Sequence, residues 1–354
     1  MKRRNIKLLE QLVKIPSPSG FEREIADFIH AELAPYLPKT RIKVDSHNNV
    51  IVIIKGTLDK VVMIDTHIDE IGFVVTNIDK EGIISLDHIG GGDNAIISAR
   101  HLVILTENGK INAVVDRKHA HLVDDESNIT IEKIHEAIVD IGIRKRRKVS
   151  SIVKLGDPVI YASSFYQLRE GYYAGRGIDD KSGCYILIET IKEIIMAKKK
   201  PTPTLIFTFS AQEEIGGLRV SRLVKTYKPN MFIEVDVTFA TDYPDVDERQ
   251  VGRCELGKGI VLYRGVDIDK KALKLFESVA RNHKIKYQLQ ASSGSIGYNS
   301  EEASPYGVKT VIMAIPLRNM HTPVETINAG DLNRGIQLLS QFLIHSRLKG
   351  ILEE

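Results

Sequence analysis

Short, nearly continuous apolar runs recur at Val61–Asp65, Leu205–Ser210, Met231–Val235 and Val308–Ile315. Runs of this length with little alternation suit strands covered by helices on both faces. Between them the apolar positions change to helical spacing. Ser182–Met196 is strongly apolar on one face, and Lys270–His283 and Asp331–Arg347 also read as helices. Near the start, Leu8, Leu9, Leu12 and Val13 share one helical face, and Pro16-Ser17-Pro18-Ser19-Gly20 then breaks the pattern. Ser19 and Glu22 have capping-box spacing, which predicts a helix from Phe21 to about Leu33 with Ile25, Phe28 and Ile29 inward. Arg41–Val44 and Asn49–Lys55 read as strands. Strands alternating with helices predict an α/β domain with a mostly parallel central sheet and flanking helices.

The middle of the chain has a different rhythm. Gly72–Asn77, Ile83–His88, His101–Thr106, Ala113–Val115 and Pro158–Ala162 are short β-like runs punctuated by Gly, Asn and Asp. Gly90-Gly91-Gly92-Asp93-Asn94 is the clearest turn, and Ile129–Ile138 reads as a helix. A small β-rich domain over residues 70–165 is therefore expected inside an α/β domain made of residues 1–69 and 166–354.

Composition narrows the classes. Lys and Arg number 49 against 46 Asp and Glu, a formal charge of +3, which excludes a polycation working mainly on nucleic acid. The basic run Arg144–Lys148 reads as an exposed turn of the insert. The two cysteines, Cys184 and Cys254, make neither a disulfide framework nor a Cys-x-x-Cys clip, and Cys184 reads as core. No run of about 18 apolar residues exists, so no membrane span is expected. Lys7, Glu10, Gln11 and Lys14 interrupt Ile6–Ile15, which reads as an amphipathic helix and not a signal peptide. A cytoplasmic protein is expected.

Metal-type ligands stand at the ends of the proposed strands or before a helix. His67 and Asp69 follow Val61–Asp65, Glu213 and Glu214 follow Leu205–Ser210, Asp236 follows Met231–Val235, and His321 follows Val308–Ile315. Asp179 and Asp180 open the Ser182–Met196 helix. Each has an ordinary reading alone: an N-cap for an Asp, a solvated surface for a Glu pair, a satisfied structural histidine. Together they stand where an open α/β sheet collects ligands, in the crevice beyond the carboxyl ends of its strands. In an extended segment Asp69 lies on the same face as His67 and can fix its tautomer. Adjacent Glu213 and Glu214 point to opposite sides, one toward a cation and one toward its water. His88, His119 and His121 fall in the insert and read as structural.

These residues resemble the tetrahedral (TET) aminopeptidases, the glutamyl-aminopeptidase and endoglucanase-like family of di-metal peptidases, over essentially the whole length. The resemblance is carried by Ser17-Pro18-Ser19-Gly20, Thr66-His67-Ile68-Asp69-Glu70-Ile71-Gly72-Phe73, Asp179-Asp180-Lys181-Ser182-Gly183, Glu213-Glu214, Val235-Asp236-Val237-Thr238 and His321-Thr322-Pro323-Val324-Glu325. It implies two divalent ions, zinc or cobalt. His67, Asp179 and Asp236 hold one, and Asp179 bridges to a second completed by Glu214 and His321. Glu213 is then the general base, Asp69 orients His67, and the Asp179–Asp180 peptide is cis. The implied reaction releases N-terminal residues from short peptides through attack of a hydroxide shared by the two ions. The implied fold is zinc-exopeptidase-like with a PDZ-like insert for dimerisation, and the implied assembly is a tetrahedral dodecamer built from dimers.

Two segments depart from the family pattern. Gly297-Tyr298-Asn299-Ser300 stands where Gly-Thr-Asp-Ala is usual, and Arg176-Gly177 where Lys-Ala is usual. Tyr298, Glu301 and Arg318 are candidate substrate contacts. Glu301 or Glu302 would favour a basic N-terminal residue, whereas Tyr298 filling the pocket would favour Gly or Ala. An endoglucanase-type glycosidase is the alternative, but its paired carboxylates must flank the bond about 5–10 Å apart and it gives the two histidines no role.

Overall fold

The computed structural model describes residues 6–117, 131–162, 164–292 and 298–353. In chain order, α1 (Lys7–Lys14) and α2 (Arg23–Leu33) precede β1 (Ile42–Val44), β2 (Val50–Ile54) and β3 (Leu58–His67). The insert follows as β4 (Gly72–Ile78), β5 (Ile84–Ile89), β6 (His101–Thr106), β7 (Gly109–Asp116), β8 (Ile138–Asp140), α3 (Arg146–Val149) and β9 (Pro158–Tyr161). Then come β10 (Tyr166–Gln167), β11 (Tyr172–Gly175), α4 (Ile178–Met196), β12 (Pro203–Ser210), α5 (Leu218–Tyr227), β13 (Met231–Phe239) and α6 (Glu248–Val251). β14 (Ile260–Gly265), α7 (Lys270–Asn282), β15 (Tyr287–Ser292), α8 (Tyr298–Ala303), β16 (Lys309–Leu317), β17 (Glu325–Asn328), α9 (Ala329–Leu343) and α10 (Leu348–Glu353) follow.

Eight strands form the central sheet in the order β1-β2-β12-β3-β13-β16-β14-β15. The inner four are parallel, as the apolar runs predict. The sheet as a whole is mixed, because β2 lies antiparallel to β12 and β14 antiparallel to β16. This corrects the mostly parallel expectation: Val50–Ile54 is as apolar as the inner strands, so its reversal leaves no hydrophobic signature. Alternate side chains sort to opposite faces. Val62, Ile64, Phe207 and Ile233 join the core under α1, α2, α4, α7 and α9, whereas Met63, Ile206 and Phe232 pack with Val220 of α5 and Ala303 of α8.

The β-rich insert closes into a six-stranded barrel, β4-β5-β8-β7-β6-β9, around its own core of Phe73, Leu86, Leu102, Val139 and Val159. Within Ile129–Ile138 the expected helix is absent from the described residues 131–138. Ile134–Glu136 is one 3-10 turn, and β8 begins at Ile138, where pairing with β5 and β7 overrides local propensity. His119 and His121 lie outside the described residues. His88 bonds Asn94 at 2.7 Å and packs on Phe73, a structural role. The basic run is exposed, with Arg144 paired to Asp140 at 2.6 Å. Both cysteines are buried and free. No helix among the described residues is long and apolar enough to cross a membrane.

The Ser19–Glu22 capping box does not form. α2 begins at Arg23, and the Ser19 hydroxyl instead donates to Asp69 at 2.5 Å. Nearby, Glu70 pairs with two buried cations, Arg176 and Lys181. Lys181 Nζ donates to Glu70 at 3.0 Å and to the Ile15 carbonyl at 2.8 Å, while Glu70 also accepts the Ser17 N–H at 2.8 Å. Opposite charge on Arg176 and Lys181 holds the Glu70 carboxyl below its usual range although burial opposes this. The network ties the segment after α1 to the start of α4. Glu70→Gln leaves two buried cations without their anion and is expected to cost about 3–5 kcal/mol, read as a lower denaturant midpoint.

Candidate metal centre

β3 and β13 pair only as far as Asp65 beside Glu234. Two residues on, His67 and Asp236 emerge on the α8 side, where the strands part. This is the crevice that parallel α/β sheets offer ligands. Asp236 thus sits within β13, which continues to Phe239 along β16, and not at the strand's end. β12 ends at Ser210, and the turn after it presents Glu213 and Glu214. β16 leads into the loop carrying His321, which returns as β17. Pairing of β17 with β11 sets Glu325 beside Gly175, close to Asp179 at the opening of α4. The Asp179–Asp180 peptide is cis.

The five proposed ligands are joined by direct contacts. His67 Nε2 lies 3.0 Å from Asp179 Oδ1 and 3.8 Å from Asp236 Oδ1. His321 Nε2 lies 3.4 Å from Asp179 Oδ2 and 3.3 Å from Glu214 Oε2. Asp179 therefore faces both imidazoles, one with each oxygen. Donor atoms around a tetrahedral cation at about 2.0–2.2 Å lie roughly 3.3–3.6 Å from each other; the His321 contacts match this, the His67 contacts straddle it, and the donor atoms of each triad lie within 4.8 Å of one another. The Glu214 Oε1 atom is buried without a hydrogen bond, a further sign of a missing cationic partner. The donor set, imidazole and carboxylate, suits zinc or cobalt and does not choose between them.

The electrostatics agree. Burial pushes Glu213 and Glu214 up to about 7 and Asp236 up to about 8. Burial opposes the His321 imidazolium, but hydrogen bonds to Asp179 and Glu214 outweigh it and raise the group to about 11. Asp179 is held below the usual carboxylate range by His321 and His67 against the effect of burial. Without another cation, the imidazoles are the counter-charges of this acidic pocket.

Supporting groups hold these side chains still. The Asp69 carbonyl, with its carboxylate at 3.5 Å, faces His67 Nδ1. The carboxylate also accepts the backbone N–H groups of Glu213 and Glu214 at 3.0 and 3.1 Å. Asp180 accepts the Thr66 hydroxyl and the Gly183 N–H. Glu325, a residue of the His321–Glu325 motif with no role assigned from sequence, accepts the N–H groups of both Asp179 and His321 at 3.1 and 3.0 Å. Behind the site, Asp65 accepts from Asn299 at 2.7 Å and Glu234 from the Ser300 N–H at 3.3 Å, seating α8. From the barrel, Gly91 abuts His321: a Cβ there would stand 3.1 Å from Nδ1. Neither contact has a signal in sequence spacing, because each joins residues more than 60 positions apart.

The five proposed ligands and Glu213 line a cavity of about 310 Å³ whose wall includes Glu301, Phe239 and Met320; Asp69 is not among its lining residues. Arg318 is not part of that lining; it is engaged by Asp242 at 2.5 and 2.7 Å. Tyr298 opens α8, and its side chain lies outside the described residues.

Relatives give the arrangement its context. A putative aminopeptidase of Acetivibrio thermocellus is 30% identical, with 94% of this chain and 96% of the relative covered. A lysyl aminopeptidase of Pyrococcus furiosus is also 30% identical, over 95% and 96%. The TET1 peptidase of Pyrococcus horikoshii, described as assembling into a tetrahedron or a large octahedral shell, superposes with a TM-score of 0.84 at 26% identity, over 96% and 99%. The model of the M42 glutamyl aminopeptidase family matches residues 48–338, and the chain belongs to that family of peptide hydrolases.

Proposed function

We propose that the protein is a co-catalytic di-metal aminopeptidase that removes N-terminal residues from short peptides. The observation that carries this reading is the shared position of Asp179 between two His/carboxylate triads. His67, Asp179 and Asp236 would hold one divalent ion, and Asp179, Glu214 and His321 the other. When bound, such a pair acts as a Lewis acid and lowers the pKa of water toward neutrality.

The chain's own residues do the rest. Glu213 lies in the same cavity as the ligands and is kept from swinging away by the Asp69 contact to its backbone. It takes the proton of the attacking water and delivers it to the departing amine. Asp69 and Glu325 fix the two imidazoles or their backbone, so that little reorganisation accompanies the reaction. A carboxylate of the pocket meets the free α-amine of the substrate, which confines cleavage to the peptide's N-terminus. Glu301 lines the same cavity together with the apolar Phe239 and Met320, a combination that suits the long aliphatic stem and cationic head of Lys or Arg. The lysyl aminopeptidase relative supports that preference. The insert over residues 70–165 is assigned to dimerisation, and the P. horikoshii relative supports a homo-oligomer, a tetrahedral dodecamer of dimers, in the cytoplasm.

Chelation is expected to abolish release of N-terminal residues, with zinc or cobalt restoring it; full activity in the chelated protein would overturn the reading. Glu213→Gln should lower kcat by about 10²–10⁴-fold while metal content by elemental analysis stays unchanged. On a panel of N-terminal residues, Lys and Arg should lead, and Glu301→Gln should lower the Lys-to-Ala ratio of kcat/KM about fivefold, the worth of a partly exposed ion pair of up to about 1 kcal/mol. A preference for acidic N-termini would refute the basic pocket.

A further inference from the structure

The barrel meets the catalytic sheet along the loop that carries His321. On one side of this loop lies the metal centre, with Met320 and His321 in its wall. A second cavity, of about 340 Å³, opens beside Pro323 and Val324 of the same loop. Its lining includes Arg100, His101 and Tyr161 of the barrel, and Ser164 and Tyr166 just beyond it. No Asp or Glu is among its lining residues.

The donors of this cavity are held in place. Arg100 Nε donates to the Ile96 carbonyl at 2.8 Å, which orients the guanidinium. Among the described residues, its Nη groups show no hydrogen bond or ion pair. Tyr161 is buried, 6% exposed, at the end of β9, where it pairs with Leu102 one residue beyond His101. Burial pushes its phenol up to about 12, so the hydroxyl remains a donor. The nearest acid acting on it, Asp93, already accepts the Ala95 N–H at 2.8 Å. A guanidinium, a phenol O–H and an imidazole among the lining residues of one cavity, with no Asp or Glu among them, are groups suited to receive a carboxylate.

We propose that this cavity binds the C-terminal carboxylate of the peptide whose N-terminal residue occupies the metal centre. The inference rests on the aminopeptidase reading and deepens it, because it sets substrate length. Consecutive Cα atoms are about 3.8 Å apart, so Pro323 and Val324 lie within roughly 8–11 Å of His321. An extended peptide advances about 3.3–3.6 Å per residue, so two or three residues beyond the scissile bond cover that span. The substrates are therefore tri- and tetrapeptides with a free C-terminus. A side-chain carboxylate at the third position carries the same chemistry, and the experiment separates the two sources.

The test compares kcat/KM of the metal-loaded full chain on four probes: Lys-Ala-Ala, its C-terminal amide, Lys-Ala-Asp-amide and Lys-p-nitroanilide. The free tripeptide should exceed its amide about tenfold or more, through KM. Arg100→Ala should bring the acid-to-amide ratio near one, and Tyr161→Phe should lower it part of the way. The nitroanilide has no C-terminal carboxylate, so its turnover reports a folded, loaded enzyme in every variant. Equal rates on acid and amide with the nitroanilide hydrolysed, or an Arg100→Ala ratio like the wild type's, would overturn the carboxylate receptor alone. Lys-Ala-Asp-amide matching Lys-Ala-Ala would also overturn it, in favour of side-chain recognition. If the wild type hydrolyses no nitroanilide, the aminopeptidase reading fails and this inference falls with it.

Discussion

The Asp69 carboxylate accepts the backbone N–H groups of Glu213 and Glu214 and the hydroxyl of Ser19, while the carbonyl of the same residue faces His67 Nδ1. Two segments remote in sequence are thereby fixed to the end of β3. A carboxylate buried in this way needs its full complement of donors, and the backbone of the Glu pair supplies two of them. The backbone of Glu213 and Glu214, the proposed base and a proposed ligand, is thus fixed at the root of each side chain. The expectation that Asp69 orients His67 describes a small part of this residue's contacts.

A second constraint acts above it. Asp179, Glu213, Glu214 and Asp236 crowd into one pocket, and burial, reinforced by repulsion among the carboxylates, raises three of them toward neutral pH. Removing like charges from water to a common cavity is unfavourable unless cations join them. Glu70 meets this requirement within the chain, with Arg176 and Lys181. Among its described lining residues the candidate metal pocket has only His67 and His321 for the purpose, and their ring nitrogens lie 3.0–3.8 Å from the carboxylates. The same acid chemistry therefore has two outcomes a few residues apart: a closed ion network that stiffens the start of α4, and an open one that asks for divalent cations.

Much of this was legible in the chain. The inner parallel strands announced themselves as uninterrupted apolar runs, and the ligands stood just beyond or within them. What escaped the reading depended on partners distant in sequence. Ser19 has the local spacing of a helix cap, but Asp69 offers its hydroxyl a buried acceptor, and tertiary contact prevails over the cap. Ile134–Ile138 has helical periodicity, yet β8 finds ladder partners on both sides. The antiparallel edges of the sheet and the closure of the barrel are long-range pairings with no local mark. Glu325 was visible in its motif, but its role depends on β17 pairing with β11, which no spacing reveals.

The barrel also bears on the chemistry itself. Gly91 brings its backbone against the His321 ring at a place where a Cβ would intrude, and Gly90 does the same beside Glu214. His321 and Asn319 adopt left-handed backbone conformations, with φ of 59° and 57°, in the loop between the barrel and the sheet. Such conformations persist in non-glycine residues when surroundings hold them, and here the surroundings are the Glu325 carboxylate below and the barrel glycines above. A ligand loop clamped from two independently packed cores cannot shift without disturbing one of them. The insert therefore buttresses the candidate site from behind its lining, and whatever assembly it made with other copies would act on a surface directly joined to the proposed ligand His321.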